Sequence, residues 1–316
     1  MAYSFLSSLS TYTDQQRLPL ITKAVFSAKT ASMIQKQVGI KSAANLNLMD
    51  TDAPFIAGTS CGWNPSGTTS FSARTITVGA VKVQEAICPR SLESYWMQTQ
   101  LTAGSNYTGV PFEQAYSEQK AAKIAAALET AIWQGSTATS NTNIQTNKFD
   151  GFNTLLNAAS ATVVSGNTSA VSGAITASNV IGIFQQIYTR VPVEVLNRED
   201  LVAFCGWDTF RLMMNAFINV GSGTGNFHYT AEGMQTGEQF FPGTNIKVVA
   251  VNGLNSTSRI VTTYLSNLFY GTDLLSDEEQ FSIWHSRDND EVRFQAAFKA
   301  GVQFAYPEYI VDWKLA

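Results

Sequence analysis

The sequence predicts an α+β chain in which long limbs surround a small α/β unit. Three observations carry that prediction. Residues 71–87 are rich in β-formers but too polar on both sides for a core strand. Residues 111–133 make one long Ala-rich helical pattern, and helix and strand patterns alternate closely only from residue 178 onward. A length of 316 residues allows two compact units or one elaborated one.

In the first fifty residues short apolar clusters alternate with polar ones without a core pattern, and 18–28 fits a short helix opened by Pro19. This reads as an arm that packs on something else. A turn-rich patch follows at 58–67, around Pro65. In 71–87, Ile76, Val78, Val81, Val83 and Ile87 are interrupted at Gly79, with Arg74, Lys82 and Glu85 among them. A ribbon with arms of ~10 residues reaches ~33 Å at strand rise. Two-stranded ribbons are marginal in water, so this one is expected to have a partner.

Pro111 suits the first turn of the long helix and Gly135 its end. Phe112, Tyr116, Ile124, Leu128 and Ile132 recur at multiples of four, with Lys120 the polar exception. At helical rise the rod spans ~35 Å and reads as a spine. Residues 136–147 and 158–179 are rich in Ser, Thr, Asn, Gly and Ala and read as loops or solvent-facing hairpins, with 162–164 a short strand.

From residue 178 the pattern tightens. Ser178 is placed to cap a helix with the apolar face Val180, Ile181, Phe184, Ile187, Tyr188 and Val191, stopped by Pro192. Residues 201–205 fit a buried strand, and Asp208 is placed to cap a second helix through Leu212, Met213, Ala216 and Phe217. Residues 221–225 read as a flexible loop, while 246–251 and 259–264 supply two more strands. The sum is a sheet sandwiched by helices. The last part is β: 281–286 and 292–298 flank the hairpin signature Asp288-Asn289-Asp290, and 301–306 adds a strand before Pro307.

Composition narrows the function. Charged residues are 14% of the chain, against ~25% in ordinary soluble domains, while hydrophobic residues are 45%. Ser, Thr, Asn and Gln take the place of Lys and Glu, and such groups are much cheaper to desolvate than ions. That suits a surface pressed against copies of itself. No apolar run approaches the ~18 residues of a spanning helix, and the start lacks the pattern of a signal peptide. Three cysteines, Cys61, Cys88 and Cys205, do not make a disulfide framework, which points to synthesis in a reducing cytoplasm. A pI near 5.3 argues against a dedicated nucleic-acid binder. Residues 1–50 hold five cations and two anions, whereas 267–316 hold four cations and nine anions. Such opposed fields steer encounter and set register; two independently solvated surfaces fit equally.

The candidate sites are weak. Gly58-Thr59-Ser60-Cys61-Gly62 matches a G-x-S-x-G nucleophile elbow, but Trp63, Asn64, Pro65 and Gly67 forbid the helix that must follow. The glycines at 221–225 lack phosphate-loop spacing. His228 and His285 have no metal-ligand companions, and the acidic groups at 277–279 and 288–291 lack a calcium-loop pattern. Cys61 and Cys88 bracket the ribbon and read as buried thiols, with a bond or a metal between them as the lesser alternative. No cofactor or metal is implied, and no enzyme.

Taken in order, the parts are arm, ribbon, spine helix, α/β unit and return strands. With the local strings Arg74-Thr75-Ile76-Thr77-Val78 to Cys88-Pro89, Ala126-Ala127-Leu128-Glu129-Thr130-Ala131-Ile132-Trp133-Gln134-Gly135, and Asp290-Glu291-Val292-Arg293-Phe294 through Lys299-Ala300-Gly301-Val302-Gln303 to Pro307-Glu308, the chain resembles the Hong Kong 97-type major capsid proteins of tailed bacteriophages. The resemblance implies an N-terminal arm (1–55), an E-loop (56–92) and a P domain on the spine helix (93–159). It further implies an A domain (160–266), P-domain return strands (267–306) and a C-terminal segment back in the A domain (307–316). It implies hexamers and pentamers that tile an icosahedral shell around double-stranded DNA, assembled in the host cytoplasm and ending in the virion.

The resemblance also implies a homo-oligomer with a separate scaffolding protein, a portal, and decoration or cargo proteins as partners, and no membrane. Candidate inter-subunit contacts are Arg17, Lys23 and Lys29 in the arm, Arg74, Lys82 and Glu85 in the ribbon, and Asp288, Asp290 and Glu291 in the hairpin. Lys82 is also a candidate for the ribbon cross-link of some members, without an identifiable Asn and Glu to complete it. Gly79, Gly104, Gly109 and the 221–225 loop are candidate hinges for quasi-equivalent positions. An encapsulin-like nanocompartment shell is the nearest alternative. A surface adhesin would need a secretion signal, and a serine hydrolase rests on Ser60 alone.

Overall fold

Two sheets share one long helix. The computed structural model describes residues 28–55, 58, 63, 65–87, 112–167, 174–220, 236–273, 280–286, 288–289 and 291–315. Residues 1–27 of the arm with Arg17 and Lys23, then Ser60, Cys61, Cys88, the 221–225 loop, His228, the acidic group at 277–279 and Asp290 lie outside them, as do Gly104 and Gly109.

The described chain opens with α1 (Lys29–Met33), β1 (Gln35–Gln37) and β2 (Ala43–Thr51), followed by β3 (Thr69–Thr77) and β4 (Gly79–Ile87). The spine helix α2 is Phe112–Gln134, and α3 is Phe152–Ala158. The α/β part holds β5 (Val164–Ser165), α4 (Val180–Arg190), β6 (Leu201–Cys205), α5 (Trp207–Val220), β7 (Glu238–Phe240), β8 (Lys247–Ala250) and β9 (Arg259–Tyr264). The chain returns through β10 (Leu268–Thr272), β11 (Gln280–Ser286), β12 (Glu291–Phe304) and β13 (Val311–Lys314).

The first sheet is organised by β12. β4 runs antiparallel along one edge of it and β11 along the other, while β10 pairs with its last residues and β1 lies parallel to β10. Val292, Phe294, Ala296 and Phe298 alternate into the core, as the strand period of two requires. They meet Ile124, Leu128 and Ile132 of α2 in one cluster. The second sheet has the order β5-β13-β9-β6-β8-β7. β6 is buried at every residue. Its Leu201, Ala203 and Cys205 face α4 and α5, and its Val202 and Phe204 join the spine-helix core. Trp133, at the end of α2, joins the two sheets, with its ring 5.2 Å from Phe152 and 5.3 Å from Phe204. Gly253 lets the helix end come this close, since a Cβ there would strike the Trp133 ring.

Several expectations need correction. Residues 71–87 are extended, but β3 and β4 do not pair with each other: β3 pairs with β2, and β4 joins the first sheet. The ribbon therefore takes one strand from the segment read as arm, because Ala44, Leu46 and Leu48 alternate onto the same face as Ile76, where the root is buried. The expected strands 292–298 and 301–306 are one continuous β12, and Gly301 does not break it. Asn179, not Ser178, precedes α4, and its side chain serves Thr176 N (2.8 Å) instead of the helix end. Asp208 lies inside the first turn of α5, accepting from Thr209 N (2.8 Å) and Ser256 N (2.9 Å). α3 and β10 arise where loops or nothing regular were expected.

Gly79 is not placed as a hinge. A Cβ there would strike the Lys148 carbonyl, so glycine permits a close approach of β4 to the loop after α2.

Candidate assembly surface

The β2–β3 ribbon stands on a small cluster of its own. Ile40, Leu46, Ile76 and Val78 are buried together at its root, with Ala44 and Phe269 against them. Cross-strand pairing runs from Ala43↔Thr77 out to Thr51↔Thr69. On the face toward the body lie Ile76 with Ala44, Arg74 with Leu46, Ser72 with Leu48, and Ser70 with Asp50. Beyond Leu46 and Arg74 no ribbon side chain among the described residues is buried.

The opposite face carries Thr77 and Ala43, Thr75 and Asn45, Ala73 and Asn47, Met49 and Phe71, Thr69 and Thr51. None of these is charged. Thr75 Oγ1 donates to Asn45 Oδ1 (3.0 Å) and the hydroxyls of Thr51 and Thr69 pair at 3.0 Å, which stiffens the polar rungs. Met49 and Phe71 form one apolar rung, with exposures of 59% and 78%. At the outer end Phe55 and Trp63 are almost wholly in water. The turn is organised without them: Asp52 Oδ1 accepts from Thr68 N (2.5 Å) and Thr68 Oγ1 (3.2 Å), and Ser66 Oγ donates to Pro54 O (3.2 Å). Solvated apolar groups gathered on one limb mark an interaction surface.

The described residues among those singled out for inter-subunit contact lie at separate places on the chain. Lys29 turns inward: its Nζ donates to Thr236 O (2.9 Å), lies 3.5 Å from Glu238 and sits over the Trp207 ring. Its neighbour Thr30 is fully buried; Thr30 N donates to Glu129 Oε2 (3.0 Å), Thr30 Oγ1 bonds Glu129 Oε1, and Trp133 Nε1 donates to Thr30 Oγ1 (2.8 Å). Burial pushes the Glu129 carboxyl above its usual range, against the Thr30 hydrogen bonds and the Lys29 charge, which pull it down. Arg74 stacks over the Phe304 ring at 4.4 Å from its centroid. Glu85 pairs with Lys120 of α2. Lys82 is exposed on the outward face of β4, Asp288 is exposed at the β11–β12 turn, and Glu291 Oε2 lies 3.7 Å from Arg293 Nε.

Charge-based reading missed the ribbon aromatics. Their signal was present as isolated large apolar residues in turn chemistry, Asp52-Ala53-Pro54-Phe55 and Gly62-Trp63-Asn64-Pro65, where no core pattern explains them. Among the described residues no group of His, Cys, Asp and Glu could hold a metal ion, and no helix is long and apolar enough to cross a membrane. Cys205 is buried in the second core, where burial pushes its thiol pKa up.

No family model and no curated protein matches the sequence. Solved structures do match. A chain of the satellite phage P4 procapsid, which includes size determination (Sid) protein, superposes with TM-score 0.62 at 11% identity, over 100% of this chain and 98% of that one. The capsid of an empty GTA particle gives 0.59 at 14% identity, over 92% and 90%. The capsid of Myoviridae phage XM1 gives 0.55 at 13% identity, over 90% of each chain. The chain therefore has the α+β fold of phage capsid proteins. It is the Hong Kong 97-type architecture that the order of its parts resembles.

Proposed function

We propose that the chain is the major shell subunit of a tailed phage, a structural protein and not an enzyme. It assembles as hexamers and pentamers into the icosahedral capsid that encloses double-stranded DNA. The observation that carries this reading is the ribbon's outward face, uncharged, turned from its own body and crossed by the exposed Met49–Phe71 rung. Covering such a face removes apolar area from water without stripping ions of theirs. A shell repeats a modest contact many times, so each is small while the sum is large.

In this reading the ribbon at 43–77 is the E-loop, α2 with the first sheet is the P domain, and the second sheet with α4 and α5 is the A domain. Lys82, Asp288 and Glu291 lie on surfaces open to neighbouring subunits, and Arg17, Lys23 and Asp290 complete the contact set. Partners are sister subunits, a scaffolding or size-determining protein, the portal, and decoration or cargo proteins. The subunit is made in the bacterial cytoplasm and ends in the virion.

Electron microscopy of the purified full chain, alone and with the scaffold encoded beside it, tests the proposal. Closed shells built from hexameric and pentameric units are expected. A chain that stays monomeric at high concentration with scaffold present overturns it.

A further inference from the structure

We propose that Arg74, together with Gln303, is the positioning element that fixes the angle at which the β2–β3 ribbon leaves the body. The inference rests on the shell reading for its consequence, but not for its geometry.

Among the described residues the ribbon is held at its root. Outward of the Leu46–Arg74 rung its side chains are not buried, and a two-stranded ribbon has little stability of its own. That rung is the outermost place at which the described ribbon meets the body. Two contacts to β12 meet there. The Arg74 guanidinium covers the Phe304 ring at 4.4 Å, and Phe304 is fully buried on its other sides. One residue along, Gln303 Nε2 donates to Thr75 O (2.8 Å), while its Oε1 accepts from Phe304 N (3.1 Å). Gln303 is 9% exposed, so its amide is fixed by bonds at both ends. Glu308, just past β12, adds a favourable charge to Arg74.

One contact sets the guanidinium over the ring and the other is a directional hydrogen bond to the ribbon backbone. Together they restrain tilt and twist, which the rounded apolar cluster of Ile40, Leu46, Ile76 and Val78 does not. A guanidinium can do this and an ammonium cannot, because only the planar group stacks flat on the ring. Arg74 is thereby engaged within its own chain, and the uncharged outward face is presented in one direction.

Hydrogen exchange of the full-length, unassembled chain tests this. In Arg74→Ala, amides of 43–51 and 69–77 are expected to exchange roughly tenfold faster, while 201–205 and 259–264 keep wild-type rates. Arg74→Lys should behave as Arg74→Ala, and Gln303→Ala should give a smaller change confined to the same strands. Unchanged ribbon exchange in Arg74→Ala, or an equal rise in the second sheet, overturns the proposal. If Arg74→Ala does not fold, Arg74→Lys decides alone on the same criterion. Under conditions where the wild type forms shells, Arg74→Lys should give few or misshapen ones; uniform shells at wild-type yield overturn the positioning role. Failure of the wild type to form shells counts against the shell reading and leaves the exchange result standing.

Discussion

At Gly79 the backbone of β4 lies against the Lys148 carbonyl with no room for a methyl group. Gly79→Ala must displace either the strand or the loop that closes α2, and overpacking of that kind costs about 1–3 kcal/mol. A chemical denaturation midpoint lowered with an unchanged slope is the expected result; wild-type stability would mean that the loop yields freely. Arg259 and Asp312 are a second such place. Arg259 Nε and Nη2 meet Asp312 Oδ1 and Oδ2 at 2.7 and 2.6 Å, and Nη1 donates to Asn153 O (3.2 Å), tying β9, β13 and α3 together. Both side chains are more than nine-tenths buried. Asp312→Ala strands a buried guanidinium and should cost about 3–5 kcal/mol, read as a drop in unfolding free energy. Gly79 stood out in the sequence as an interruption, but the role of neither position was legible there. A glycine in a strand and an Arg and Asp 53 residues apart carry no local signal, because their partners are brought in by tertiary packing.

At the scale of elements, α1 is fastened to α2 by the buried Thr30–Glu129–Trp133 hub. The groups that face the Glu129 carboxyl are Thr30, the Trp133 indole and the Lys29 charge. Burial raises the carboxyl's affinity for its proton in the folded state, so between the ordinary Glu value and the raised one the folded chain holds more protons than the unfolded chain. Stability must then fall as pH rises through that window and level off on either side. Glu129→Gln removes the titrating group, and its melting temperature should depend less steeply on pH there than that of the wild type. Equal slopes would show that the carboxyl ionises without penalty. The elements themselves divide by how local their causes are. β6, β9 and α2 were legible because runs of apolar residues, or an apolar repeat at helical spacing, are enough to place them. The pairing of β3 with β2 was not, because two short half-polar strands have many possible partners and register is chosen by what they bury.

For the whole molecule, the question is what covers the ribbon. Met49 and Phe71 contribute little to the fold of the isolated chain, since both lie in water. Replacing both with Ser should leave unfolding free energy within ~0.5 kcal/mol of wild type. In a shell the same change should cut the yield of closed particles at least roughly tenfold, as central apolar contacts dominate an interface. Light scattering and electron microscopy of the assembly reaction read it directly. Normal shells from the doubly substituted chain would assign the neighbour contact to some other surface.

Sequence was enough for the class of fold, the spine helix, strands β6, β8 and β9 of the second sheet and an exterior poor in charge. All of these follow from composition and from periodicities that a few neighbouring residues express. Tertiary structure alone decided which strands form the ribbon, that Arg74 and Glu85 turn to partners in their own chain, and that Met49 and Phe71 share an outward rung. Those depend on contacts between residues far apart in sequence, and the free energy that selects them exists only once the surfaces meet.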